Sequence, residues 1–282
     1  MPKKIGLALG GGGAKGLAHI GVIRELEREN ISISYIAGTS MGALVGGVYA
    51  ATKDLSKLEE IFMNLTKDDV FPISKIIRKR EGLFRDHSII EHIEELMRGI
   101  NIEQCVIPFR AITTDVQNGD QVILDRGSIV EAIRASVALP IAFKPIEIGG
   151  RLLMDGGFVN PVPADVCQAM GADVVIAVDV SSKWPKVYDD PHPIHGIYMM
   201  LAGALATIEY QIAKRILEKA DVVLRPNVLS FGWHSFTESK EIIRAGGVEL
   251  RAHLLEICAK GGYPEPVKTP FEKFMEFLFP LE

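Results

Sequence analysis

Ser40 sits in the pentapeptide Gly38-Thr39-Ser40-Met41-Gly42, between the apolar run 33–37 and the small-residue run 43–51. Glycines two residues before and two residues after a serine allow a tight strand-to-helix turn that lifts the hydroxyl clear of the backbone. The chemistry this spacing offers is nucleophilic attack. The same residues also make an ordinary turn or a helix N-cap, and the chain carries 27 glycines, so Ser40 needs partners before it reads as a nucleophile.

One partner lies upstream, where Ile5 to Leu9 runs into Gly10-Gly11-Gly12-Gly13-Ala14-Lys15-Gly16 and then a helical segment from Leu17 to about Arg28. Consecutive glycines let backbone N–H groups turn toward one point, and the following helix adds its positive N-terminal end. Such a place suits a developing oxyanion, with Gly11, Gly12 and Gly13 as the donors, and removing one donor of this kind costs about 3 to 4 kcal/mol of barrier. Lys15 either adds positive potential there or is a solvated lysine opening the helix. Gly11, Gly13 and Gly16 also satisfy G-x-G-x-x-G, which keeps a nucleotide-binding module open as an alternative. That reading expects an acidic residue at the end of the second strand, and Gly38-Thr39-Ser40 stands there instead. A Walker A loop requires Gly and Ser or Thr where Ala14 and Gly16 flank Lys15.

The other partner is Asp155-Gly156-Gly157, after the run Arg151-Leu152-Leu153-Met154. A carboxylate at a strand end, followed by glycines that permit close approach, can take the proton of a neighbouring serine. An ordinary aspartate is a poor base at neutral pH, so the role needs burial or oriented hydrogen bonds. In isolation Asp-Gly-Gly is more often a turn.

In this order, G-G-G-x-K-G, G-x-S-x-G and D-G-G, the chain resembles the patatin-like phospholipases, in particular the bacterial members related to the esterase domain of neuropathy target esterase. The likeness extends to Leu17-Ala18-His19-Ile20-Gly21-Val22, Ala135-Ser136-Val137-Ala138-Leu139-Pro140 and Asn160-Pro161-Val162-Pro163, and covers residues 4–179. The resemblance implies a Ser–Asp dyad without histidine acting on carboxylic esters of phospholipids or lysophospholipids. Ser40 would be the nucleophile, Asp155 the base and Gly11, Gly12 and Gly13 the oxyanion hole, with Lys15, Gly16, Gly38, Gly42, Gly156 and Gly157 supporting the motifs. No metal or organic cofactor is required. A Ser–His–Asp esterase is the mechanistic rival, because His192, His195, His234 and His253 all follow Asp155. A degenerate member acting as a regulator is disfavoured by the presence of both Ser40 and Asp155.

The elements that must position these residues read as an α/β fold: a central, mostly parallel sheet flanked by helices on both faces, with a helical cap segment. Strands are expected at Ile5 to Leu9, Ile33 to Ala37, Phe109 to Asp115, Gln121 to Leu124, Val174 to Val180 and Val222 to Leu224, with helices interleaved. Ser128 reads as the N-cap of a helix that Pro140 closes, and Gly246-Gly247 as an interruption in a helix from about Glu238 to Ala259. His19 reads as a helix residue packed near the glycine loop. One domain over 1–282 is expected, with 53–99 a helical cap over the site and 227–282 a C-terminal helical extension. The chain has 282 residues, 48% of them hydrophobic, enough for one sizeable core.

Cys105, Cys167 and Cys258 are widely spaced and odd in number, which favours reduced thiols and a cytoplasmic setting. Lys3 and Lys4 ahead of Ile5 to Leu9 imitate a secretion signal, but the apolar run is too short and reads as the first strand. The apolar stretch Ile197 to Ile208 falls short of the roughly 20 residues of a spanning helix. A net charge of −5 favours neither nucleic acid nor general adsorption to anionic lipid. Transient contact with the inner membrane surface rests on two local features, the basic cluster Lys75, Arg78, Lys79 and Arg80 and the stripe Phe271, Phe274, Met275, Leu278 and Phe279. Such features are more commonly a solvated face and a packed helix.

Overall fold

A computed structural model describes residues 2–65, 94–140, 143–181 and 193–265. The basic cluster, the C-terminal stripe and most of the expected cap lie outside the described residues.

The sheet is built on hydrophobic strands covered on both sides, the pattern of parallel strands buried between helical layers. β1 (Ile5–Leu9) is central and wholly buried. Its alternate residues divide between two cores: Ile5, Leu7 and Leu9 join the larger one, while Ala8 faces the smaller. β2 (Ile33–Thr39) and β7 (Val174–Val178) flank it, and β7 alternates in the same way, with Val174, Ile176 and Val178 on the larger face and Val175 and Ala177 on the other. α1 (Ala18–Arg28) and α2 (Met41–Thr52) cover the larger face, while α5 (Ala164–Ala169) and the C-terminal part of α6 (Pro193–Ile216) cover the smaller. Gly6 and Ala8 are the small residues that let α5 approach: a Cβ on Gly6 would stand 3.0 Å from Cys167 Cβ.

β3 (Phe109–Asp115), β4 (Gln121–Leu124), β5 (Ile146–Ile148), β6 (Arg151–Asp155) and β8 (Val222–Leu224) complete eight strands, linked in the order β5-β6-β3-β2-β1-β7-β8, with β4 also on β3. The four contacts through β1, β2, β3, β7 and β8 are parallel; those of β4, β5 and β6 are antiparallel. The mostly parallel, doubly covered sheet therefore stands as expected, and β5, three residues with only partial burial, is the strand that sequence pattern misses.

The helices carry two differences from expectation. The glycine loop leads first into a 3-10 turn, Gly13–Leu17, and only then into α1. Gly246-Gly247 does not interrupt its helix, because α7 runs unbroken over Ser239–Ala252 and the break falls at His253, before α8 (Leu254–Gly261). The glycines have a packing role instead. A Cβ on Gly246 would collide with the Ala18 carbonyl, and one on Gly21 with the Ile243 carbonyl, so α1 and α7 cross with backbones nearly touching. Elsewhere the local signals hold: the Ser128 hydroxyl accepts the Glu131 N–H at 3.3 Å and caps α4 (Ile129–Ser136), and all three cysteines are free thiols.

Candidate active site

Two strands bring Ser40 and Asp155 together by meeting head-on. β4 occupies one side of β3 over Ala111–Thr114, so β2, paired with Phe109–Ile112, and β6, paired with Thr113–Asp115, must share the other. β2 runs parallel to β3 and β6 antiparallel. Their C-terminal ends therefore converge, with Thr39 opposite Ile112 and Asp155 opposite Thr113. Residues 115 positions apart in the chain reach one spot, and Ser40 Oγ donates to Asp155 Oδ2 at 2.6 Å.

Ser40 occupies φ 55°, ψ −123°, a conformation that side-chain-bearing residues rarely adopt and that stores about 1–3 kcal/mol. The flanking glycines make the turn feasible. A Cβ on Gly42 would enter the Leu9 carbonyl, and one on Gly38 the Gly42 carbonyl. The hydroxyl makes no cap to α2, which removes the N-cap reading, and the helix N-terminus instead lies under the serine with its positive end toward it. The Ser40 N–H donates to Ser136 Oγ at 2.9 Å, and the Ser136 hydroxyl donates to the Ile112 carbonyl at 2.7 Å. Ser136 is fully buried at the end of α4 and ties the strained turn to β3.

Asp155 is 3% exposed. Its Oδ1 accepts the Gly157 N–H at 2.8 Å, its own N–H donates to the Ala138 carbonyl at 3.1 Å, and its carbonyl accepts the Thr114 hydroxyl at 2.8 Å. Burial pushes its carboxyl up to about 6, with the Ser40 hydroxyl and the Gly157 amide pulling the other way. The environment thus supplies the basicity that an ordinary aspartate lacks.

The glycine loop lies beside Ser40, and a Cβ on Gly11 would stand 3.3 Å from the Ser40 Cβ. Its amides are not equivalent. The Gly11 N–H donates to the Pro161 carbonyl at 2.9 Å, so it is committed and unavailable to an oxyanion, which corrects the expectation of three donors. Among the described residues nothing takes the N–H of Gly12 or Gly13. Gly13 has φ 58° and packs against the Trp233 backbone, whose carbonyl accepts the Ala14 N–H at 2.7 Å. Gly16 leaves room for Met41. His19 Nε2 lies 2.8 Å from the Gly10 carbonyl and holds the exit of β1; burial lowers its ring to about 4, so it is neutral and donates there.

Lys15 is not a solvated lysine. Burial lowers its ammonium below the ordinary lysine value, opposed by the charges of Glu209 and Asp179. Glu209, on α6, is a site residue that no sequence motif flagged. Burial pushes its carboxyl up to about 7, the Asp155 charge adds to the rise, and Lys15 opposes it. Gly156 and Gly157 make room on either side of Asp155: a Cβ on Gly156 would strike the Ile112 carbonyl, and one on Gly157 would stand 2.5 Å from Glu209 Oε1.

Of the four histidines that follow Asp155, His234 and His253 take other places, and the side chain of His195 lies outside the described residues. His253 Nδ1 lies 3.1 Å from the Glu249 carbonyl at the α7–α8 junction, and His234 stacks edge-on to Trp233. His192 lies outside the described residues. Among the described residues no three His, Cys, Asp or Glu side chains group as metal ligands, and no helix is long and apolar enough to cross a membrane.

Comparison with known proteins places this chain in a family. The profile of the patatin-like phospholipases matches residues 7–167. An uncharacterized NTE family protein of Mycobacterium tuberculosis is 35% identical over 219 residues, 77% of this chain and 61% of that protein. Lysophospholipase NTE1 of Yarrowia lipolytica is 31% identical over 302 residues, covering 95% of this chain and 21% of its own length. The chain thus spans less than two thirds of the curated relatives it matches. Among solved structures, VipD from Legionella pneumophila superposes with a TM-score of 0.50 over 90% of this chain and 66% of that one at 11% identity, a likeness of fold.

Proposed function

The chain belongs to the patatin-like phospholipase family, and from that premise we propose that it is a serine acyl hydrolase cleaving carboxylic ester bonds of phospholipids or lysophospholipids. The observation that carries the proposal is the direct 2.6 Å hydrogen bond from Ser40 Oγ to a buried Asp155 carboxylate, with two glycine amides alongside that no described residue claims. With the hydroxyl already donating to the carboxylate, no histidine is needed between them.

In this mechanism Asp155 Oδ2 takes the Ser40 proton as Oγ bonds to the ester carbonyl carbon. The carbonyl oxygen becomes an oxyanion held by the N–H groups of Gly12 and Gly13. Collapse breaks the ester C–O bond, and the leaving alcohol or lysolipid receives the proton from Asp155. A water then repeats the steps on the acyl-serine, giving up a proton to Asp155 and releasing the fatty acid. Positive ends of the α2 and glycine-loop turns and the partly buried Lys15 favour the accumulating negative charge. A lipid ester substrate brings the molecule into transient contact with a membrane surface, and flotation with liposomes at low salt tests that contact.

The test of the chemistry is hydrolysis of p-nitrophenyl esters by the wild type, Ser40→Ala and Asp155→Asn, with labelling by a fluorophosphonate. Both variants are expected to lose turnover by roughly 10³-fold or more while staying folded. The label should sit on Ser40 by peptide mass spectrometry, and turnover in Ser40→Ala near the wild-type rate would end the proposal.

A further inference from the structure

A second carboxyl group stands beside the base, on an element outside the three motifs. Glu209 comes from α6, and a methyl carbon placed on Gly157 would lie 2.5 Å from Glu209 Oε1 and 3.2 Å from Asp155 Oδ1, so both carboxyl groups press on the same glycine. Gly157 is also the residue whose N–H donates to Asp155 Oδ1. Lys15, from the glycine loop, faces Glu209 and Asp179 without a contact ion pair to either among the described residues; Asp179 is itself approached by Arg225 at 3.6 Å and accepts the Ser181 hydroxyl. His234 lies in the loop that closes on Gly13.

Resting on the Ser40–Asp155 reading, we propose that Glu209 is a positioning residue of the dyad: its carboxylate, laid against Gly157 beside Asp155 and facing Lys15, makes Asp155 a stronger base. The physical ground is reciprocity. A buried carboxyl group and a partly buried one over the same Cα titrate as a coupled pair, so whichever ionises first raises the proton affinity of the other, and the effect is mutual. Ionised Asp155 pushes Glu209 toward about 7, and by the same coupling ionised Glu209 strengthens Asp155. Activity then rises in two steps with pH. Both steps belong to the pair: the lower one leaves a carboxylate able to accept a proton, and the upper one, raised above the ordinary carboxylate range, leaves both groups charged and sharpens that acceptor. Lys15 limits the repulsion and keeps the upper step near neutrality.

The experiment measures, from about pH 5 to about pH 9, the second-order rate of fluorophosphonate labelling and kcat/KM for a soluble ester, in the wild type, Glu209→Gln and Lys15→Met. Thermal midpoints are recorded alongside. The wild type should rise in two steps. Glu209→Gln should keep only the lower step, with a plateau above pH 8 about threefold lower, the direction expected of a weakened general base. Lys15→Met should move the upper step to higher pH. Parallel profiles in the wild type and Glu209→Gln, or an upper step unmoved in Lys15→Met, would overturn the inference. A purely structural role for Glu209 would lower the thermal midpoint and scale the whole profile without removing a step, which also overturns it. A label found elsewhere than Ser40 defeats the dyad itself, a different outcome from a labelled Ser40 with an unchanged profile.

Discussion

The two arms of the dyad arrive at the same point on β3 and are held by opposite means. The Ser40 arm is strained: a serine with φ 55° is pinned by Gly38, Gly42 and the Ser136 hydroxyl. The Asp155 arm has a negative φ, −48° with ψ 135°, outside the left-handed region, and its tension is electrostatic, a carboxylate drawn out of water and compensated by the Gly157 amide and the Ser40 hydroxyl. Backbone strain thus presents the proposed nucleophile, while desolvation tunes the proposed base. Both are local sacrifices of stability that the two hydrophobic cores must offset.

That contrast can be broken by experiment, and the largest effect is expected at Asp155. Asp155→Asn should lose turnover by roughly 10³-fold or more while gaining stability at neutral pH. The sign follows from the raised carboxyl: near 3.8 in the unfolded chain and about 6 in the fold, it favours folding fully below about pH 4 and loses that contribution as pH climbs through 6. Urea unfolding from about pH 4 to about pH 7 should show the wild type losing up to about 3 kcal/mol relative to the Asn variant across that window, an upper bound set by the 1.36 kcal/mol per unit conversion. A constant difference between the two proteins would mean that the carboxylate is not desolvated.

Ser136→Ala comes next. Removing the hydroxyl leaves the Ser40 N–H and the Ile112 carbonyl without their partner, and stability should fall by about 1–3 kcal/mol. Because the lost contact positions the nucleophile, kcat should drop by about tenfold with KM little changed, as steady-state kinetics would reveal. The smallest effect concerns strain alone. Both Ser40→Ala and Ser40→Gly remove the hydroxyl, but glycine tolerates φ 55° where alanine does not, so the Gly variant should be more stable by about 1 kcal/mol. Equal unfolding midpoints would show that the elbow is relaxed.

Much of this was legible in the chain because it is local. A glycine on each side of Ser40 reports a turn that only glycine tolerates, and the alternating and continuous apolar runs report strands of the lengths observed, with β2 two residues longer and β7 two shorter than pattern suggests. The errors are the long-range ones. Gly11 looks identical to Gly12 and Gly13 in sequence, and what distinguishes it is the Pro161 carbonyl delivered from the far side of the site. Gly246-Gly247 reads as a helix breaker until α1 is seen lying against it. Glu209 is the one acidic residue of a largely apolar helix, and no spacing tells that α6 brings it onto Gly157.

The amino-acid order alone determined which residues are able to act, the serine in its elbow, the aspartate before its glycines and the run of small residues that bares backbone amides, because each depends on conformational freedom within a few neighbouring bonds. Only the tertiary structure decided that β2 and β6 meet end to end along β3, which amides stay unclaimed and which charges surround the base. Those outcomes depend on strand register and on how much water the packed helices exclude, quantities that no short stretch of chain encodes by itself.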